Sequence, residues 1–279
     1  MRDESPDRPQ GHPSSLIPHP SDRVKALFKR LKSKNRTGLI AYITCGDPDA
    51  ETTIEIARAL IDAGADALEL GVPFSDPIAD GPVIQAAAQR ALQRGTTTRD
   101  VLAIARAVRE KSDAPLIAFS YLNPILRYGI ERFADDASAA GFDSLLLTDL
   151  PPESSKDFRS TLHARNLGLV SLLAPTSSEQ RIAAIDRASD GFVYYVSTTG
   201  VTGVRSELDP ALVARLDEIR ASIRKPLAVG FGVSKHEHYE ALRGHCDAVV
   251  VGSAIVRAIG EGGREGAAQR AANVVRGIL

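Results

Sequence analysis

The chain has 279 residues, 43% of them hydrophobic and 25% charged, with a formal net charge of −1. That balance is ordinary for a globular protein, leaves no basic footprint for nucleic acid, and includes no apolar run long enough to span a membrane. The two cysteines, Cys45 and Cys246, lie far apart without CxxC or CxxH spacing, which argues against a disulfide framework or structural zinc site and makes a reducing compartment the default.

Residues 1–20 are polar and hold five prolines: Pro6, Pro9, Pro13, Pro18 and Pro20. Such a segment buries too little surface to offset its ordering entropy, so a disordered tail is expected. It lacks the apolar centre of a secretory signal, and its early acids, Asp3, Glu4 and Asp7, are wrong for a transit peptide, so a cytoplasmic location is expected. Residues 21–279 read as one domain. A helix is predicted over Val24–Leu31. Short apolar strands then alternate with amphipathic helices. The strands are Gly38–Thr44, Ala67–Leu70, Leu116–Ser120, Ser144–Thr148, Gly168–Leu173, Phe192–Val196, Pro226–Gly230 and Ala248–Val251. The helices are Thr52–Ala63, Ile84–Gln93, Thr98–Lys111, Glu131–Ala140, Ser155–Arg165, Glu179–Ala188, Pro210–Ile219 and Lys235–Arg243. Strands that are apolar throughout, each followed by a helix, argue for a closed α/β (β/α)8 barrel of the TIM type, with the first helix covering its bottom. A doubly wound open sheet is the runner-up, but ITCGDPDA stands where its GxGxxG belongs.

Chemistry in such barrels gathers at the C-terminal ends of the strands. There, ADALELGVPFSDPIADGP (Ala65–Pro82) holds two carboxylates. Glu69 lies inside a buried strand, where a carboxylate is costly unless paired, hydrogen-bonded or neutralised. Asp80 follows on a loop broken by Pro73 and Pro77, before Pro82. The alternative is a Glu69 satisfied by a local arginine and an Asp80 capping the helix that starts near Gly81. Glycine turns fall after strands six, seven and eight: Gly200-Val201-Thr202-Gly203, Gly230-Phe231-Gly232 and Gly252-Ser253. Taken singly, each glycine is explained by backbone freedom. Together, with Ser253 opening a helix, they suit a phosphate held by backbone N–H groups. No lysine falls at a C-terminal strand end, which disfavours a Schiff-base aldolase. His236 and His238 point apart at i,i+2 on a helix, no three-ligand metal set is visible, and Cys45 reads as a small core residue. Carboxylate acid–base chemistry on a phosphorylated small molecule remains. Tyr121 and Asn123 are available to position it, and Phe231, Tyr194, Tyr42 and Leu146 to line an apolar pocket for a flat ring.

ELGVPFSDPIADGP, YLNP, LTDLPPE, YYVSTTGVTG, GFGV and VGSAIV, in this order, resemble the alpha subunit of tryptophan synthase from about Ser21 to the end of the chain. The resemblance implies a (β/α)8 barrel that splits indole-3-glycerol phosphate into indole and glyceraldehyde 3-phosphate by a retro-aldol reaction, with no metal or organic cofactor. It implies catalytic roles for Glu69 and Asp80. Tyr194, Gly203, Gly232, Gly252 and Ser253 match phosphate- and glycerol-binding positions, and Phe231, Tyr42 and Leu146 the walls of an indole pocket. It also implies an alpha2-beta2 heterotetramer with a pyridoxal-phosphate-dependent beta subunit, met through the loops Pro73–Gly81 and Ser197–Glu207, and weak catalysis by the chain alone. Two departures stand out: the tail before Ser21 has no counterpart, and Thr198 stands where many relatives carry Arg or Val. Other readings are a free-standing indole-3-glycerol phosphate lyase and a non-catalytic activator of a beta subunit.

Overall fold

The computed structural model describes residues 20–196, 210–230 and 232–279. Eight parallel strands close into a barrel in chain order: β1 (Gly38–Thr44), β2 (Ala67–Gly71), β3 (Leu116–Ser120), β4 (Ser144–Leu147), β5 (Gly168–Leu173), β6 (Val193–Val196), β7 (Leu227–Gly230) and β8 (Ala248–Val251). Every expected strand is present to within one residue at each end. The expected tail, the Ser197–Glu207 loop with Thr198, and Thr202, Gly203 and Phe231 lie outside the described residues.

Strand alternation sorts side chains into two cores. Leu39, Ala41 and Ile43 of β1 point outward with Leu68 and Leu70 of β2, against the surrounding helices. Ile40, Ala67, Ile117, Leu146, Val170, Ala228 and Ala248 point inward and fill the lumen. The helix α1 (Pro20–Ser33) closes the N-terminal face, here called the floor: Val24, Leu27, Phe28 and Leu31 pack onto the lumen residues, and Phe28 lies 5.4 Å from Phe192 between ring centroids. Each of those four burials contributes about 2 kcal/mol.

The outer helices are α2 (Ala50–Asp62), α3 (Pro82–Gln93), α4 (Thr98–Arg109), α5 (Leu122–Tyr128), α6 (Ile130–Ala140), α7 (Lys156–His163), α8 (Glu179–Ala188), α9 (Pro210–Ser222), α10 (His236–Leu242), α11 (Ser253–Gly260) and α12 (Ala267–Ile278). Local chemistry sets several boundaries. Thr97 and Asp100 form a reciprocal capping box at the start of α4, and Pro82 takes the first position of α3, where no amide is needed. Two helices depart from the sequence reading. YLNP turns straight into α5, because Pro124 falls in the first turn, where a missing N–H costs nothing. The final helix α12 seats Ala271, Ala272, Val275 and Ile278 in the core. Among the described residues no helix is long and apolar enough to cross a membrane.

A motif repeats four times around the floor. Asp66, Asp143, Asp190 and Asp247 each precede an even-numbered strand, and each accepts from the backbone N–H of a leucine in the odd strand before it. The bonds run from Leu39, Leu116, Leu169 and Leu227, at 3.0, 2.8, 3.0 and 2.8 Å. Each aspartate returns its own N–H to the carbonyl of the same leucine, at 2.7, 2.9, 2.6 and 2.8 Å. Arginines neutralise all four: Arg36 at Asp66, Arg109 and Arg23 at Asp143, Arg159 at Asp190, and Arg220 at Asp247.

Candidate active site

The opposite, C-terminal face is built from the inward positions at the strand ends. Alternation along β2 turns Glu69 into the lumen in register with Tyr42 of β1. Glu69 is fully buried, and among the described residues neither carboxylate oxygen has a hydrogen-bond partner. No arginine satisfies it, so one part of the alternative reading fails. Burial pushes its carboxyl up to about 8. Near neutrality the side chain is therefore mostly protonated.

Asp80 stands on the loop after β2, partly buried. Its Oδ2 accepts from the Tyr121 hydroxyl at 3.1 Å. Burial lifts its carboxyl to about 6, and the Tyr121 bond opposes the rise, so the group is mostly ionised at pH 7. Asp80 is not a helix cap: Gly81 holds the cap position of α3 with no side-chain bond. The second part of that alternative fails too.

Tyr42 and Tyr194 flank the carboxylates from β1 and β6, both buried. Burial first, and then the nearby carboxylates, hold both phenols well above their ordinary range, so they stay neutral. Their room comes from glycines at facing strand ends. A side-chain carbon at Gly71 would meet the Tyr42 hydroxyl at 2.3 Å, and one at Gly230 the Tyr194 hydroxyl at 2.6 Å. Leu146 is fully buried in the lumen, and Phe119 meets Tyr42 edge-on at 5.1 Å.

Gly252 precedes α11, whose first residue is Ser253, so the unpaired amides of that helix start open at the end of β8. Gly232, after β7, has φ +68°, a conformation a side chain would strain. The structure thus gathers Glu69, Asp80, Tyr121, Tyr42, Tyr194 and Leu146 at the barrel mouth, with Gly232, Gly252 and Ser253 at the ends of β7 and β8. Asn123 is different: it sits exposed in the first turn of α5. Cys45 is buried in the core, as expected. Phe119 escaped the sequence reading, although strand alternation marks it as inward, and Gly230 is read there only as part of a glycine turn, not as the gap that admits Tyr194. Among the described residues, no group of three or more His, Cys, Asp or Glu is arranged to hold a metal ion.

Fold and mouth define a class: a (β/α)8-barrel enzyme whose catalytic face carries buried carboxylates beside a helix start suited to phosphate. A family model described as tryptophan synthase alpha chain matches residues 28–277. The tryptophan synthase alpha chain of Solibacter usitatus is 52% identical over 237 residues, covering 85% of this chain and 89% of that protein. That of Synechococcus elongatus is 49% identical over 246 residues, covering 88% and 92%. Among solved structures, the alpha subunit from Legionella pneumophila superposes with a TM-score of 0.84 at 35% identity, covering 92% of this chain and 96% of that one. A chain of the tryptophan synthase α2β2 complex from Pyrococcus furiosus gives 0.83 at 42% identity, covering 87% and 97%. The chain belongs to the tryptophan synthase alpha chain family.

Proposed function

We propose that this chain cleaves indole-3-glycerol phosphate into indole and glyceraldehyde 3-phosphate as the alpha subunit of tryptophan synthase, with Glu69 as acid and base and Asp80 as the indole anchor. It is a carbon–carbon lyase of tryptophan biosynthesis. The observation that carries the assignment is the Glu69 carboxyl: buried, unpartnered and mostly protonated near neutrality. A carboxylic acid in that state has a proton to give.

The reaction needs two proton transfers. Glu69 first donates its proton to indole C3, which leaves the ring cationic. Asp80, ionised, accepts from the indole N–H and stabilises that charge. The Glu69 carboxylate then takes the proton of the side-chain hydroxyl. The bond from C3 to the glycerol carbon breaks, its electron pair restores the aromatic ring, and the hydroxyl-bearing carbon becomes the aldehyde. Glu69 ends protonated, so the cycle closes with no cofactor in this chain. Tyr42 and Leu146 line the ring pocket with Phe231. Tyr194, Thr202, Gly203, Gly232, Gly252 and Ser253 hold the glycerol phosphate, with the α11 start aimed at the phosphate. Asn123 belongs to the rim.

The partner in this reading is a beta subunit carrying pyridoxal phosphate, in an α2β2 assembly of the cytoplasm. Exposed apolar side chains on the mouth support a docking face: Ile78 in the Asp80 loop is 87% exposed, and Leu126 on α5 and Val196 at the end of β6 are exposed as well. The test is indole release by wild type and Glu69→Gln, each with and without added beta subunit. Activity that rises with the partner and falls by about 10³-fold in the variant is expected. Full activity without a partner indicates a free-standing lyase. A fully active variant removes Glu69 from its role, and no indole under any condition leaves only a non-catalytic activator.

A further inference from the structure

The loop bearing Asp80 is held from two sides. On one side stands Tyr121, between β3 and α5. Its hydroxyl donates to Asp80 Oδ2 at 3.1 Å and accepts from the Ala79 N–H at 2.9 Å. Tyr121 is itself buried, and its ring packs against Phe74 at 5.2 Å between centroids. One buried side chain thus holds the loop at three points, through Phe74, Ala79 and Asp80. On the other side stands Gln85, in the first turns of α3. Its Nε2 donates to the Asp80 carbonyl at 2.8 Å and to the Pro77 carbonyl at 3.4 Å.

The helix that presents Gln85 is anchored in turn. Arg90, farther along α3, grips Asp47 just past β1 with two bonds, Nε to Oδ1 at 2.8 Å and Nη2 to Oδ2 at 2.7 Å. Asp47 is buried and the two bonds form a bidentate grip, which fixes its geometry although Arg90 is partly exposed. Sliding α3 along its axis would break it. Carboxylate and backbone of Asp80 are thus tied to two separate parts of the barrel.

We infer that Tyr121 and Gln85 are positioning residues for Asp80. Tyr121 occupies Oδ2 and leaves Oδ1 to accept the indole N–H, while Gln85 fixes the backbone from which the carboxylate projects. The loop is set before substrate arrives, which removes an ordering cost from the bound state. This inference rests on the role of Asp80 proposed above. Among the described residues, the titratable groups that interact with Asp80 are Tyr121, Tyr42 of β1 and Tyr194 of β6, and both of those last two phenols also interact with Glu69 of β2. Of these, Tyr121 bonds to the carboxylate and lowers its proton affinity.

The test is the pH dependence of kcat/KM for indole release by the full chain with its beta subunit. Tyr121→Phe keeps the ring and removes the hydroxyl. Its acidic limb is expected to move up by about one pH unit, with about a tenfold loss at the optimum. Gln85→Met keeps the volume and removes the donor at an exposed position. It is expected to lose about fivefold in kcat/KM, with the acidic limb and the thermal midpoint unmoved. A Tyr121→Phe limb coincident with wild type, or a Gln85→Met rate equal to wild type, overturns the inference. Asp80→Asn run alongside separates the two failures. If Asp80→Asn is as active as wild type, the role of Asp80 itself is wrong. If it is inactive while Tyr121→Phe keeps the wild-type profile, only the positioning roles fall.

Discussion

Asp143 at the floor and Glu69 at the mouth are both fully buried carboxyl groups on neighbouring parts of one barrel. Asp143 accepts from the Leu116 N–H and faces Arg109 at 2.8 Å and Arg23 at 3.2 Å. Glu69 accepts nothing from the described residues. Burial lifts both carboxyls, but at Asp143 the amide and two guanidiniums act against it, whereas at Glu69 burial acts alone. The difference separates two uses of a buried acid. One is locked as a structural anion; the other is kept neutral, with a proton that the proposed reaction would transfer. An unpaired buried acid is expensive for the fold, and it is found on the catalytic face.

The comparison breaks most severely at Asp143. Asp143→Ala leaves Arg109 and Arg23, both nearly buried, short of their anion, and is expected to cost about 3–5 kcal/mol in chemical denaturation. Activity per folded molecule is expected to stay unchanged, and a loss below about 1 kcal/mol would refute the clamp. At the mouth the sign reverses. The folded Glu69 binds its proton up to about 8, whereas the unfolded side chain releases it near 4.5. Wild-type stability therefore falls as pH rises through that window. Glu69→Gln has no proton to lose, so it is expected to match wild type near pH 4 and to exceed it by about 4 kcal/mol near pH 8. Melting curves across that range check this, and parallel curves would show that burial does not hold the proton. The smallest effect belongs to a floor aspartate with solvent access. Asp247→Asn keeps an oxygen for the Leu227 N–H and weakens only the partly exposed Arg220 pair, for an expected loss below about 1 kcal/mol.

Much of this contrast was legible beforehand, and the reason is local. Each strand is a short apolar run bounded by turn residues, so all eight could be found from nearest neighbours. Glu69 stood out because one charge interrupted such a run. What escaped depends on residues distant in sequence. Tyr121 and Asp80 are 41 positions apart, and the leucine–aspartate pairs of the floor are 20 to 27 apart. Neither residue type in those pairs is unusual by itself, so only the closed barrel brings out the pattern. Helix α5 was hidden by Pro124, which normally argues against a helix but is harmless in a first turn. Asn123 was grouped with Tyr121 through the shared YLNP run, yet the start of α5 turns the two to different environments: Tyr121 is buried and Asn123 exposed.

The four leucine–aspartate rings also divide the barrel unevenly. Each joins an odd strand to the even strand after it: β1 to β2, β3 to β4, β5 to β6 and β7 to β8. Among the described residues, the intervening seams have ladder bonds but no such ring. A backbone nick therefore has different consequences at different turns. Cut between β3 and β4, the chain separates Leu116 from Asp143 and opens a ring. Cut between β4 and β5, near Pro151–Ser155, it opens none, and each fragment keeps four strands and two intact rings. The second pair of fragments rejoins through strand edges, the shared lumen and the packing of α12 on α2 without remaking any ring, which makes that turn the natural place to split this protein into two complementing halves.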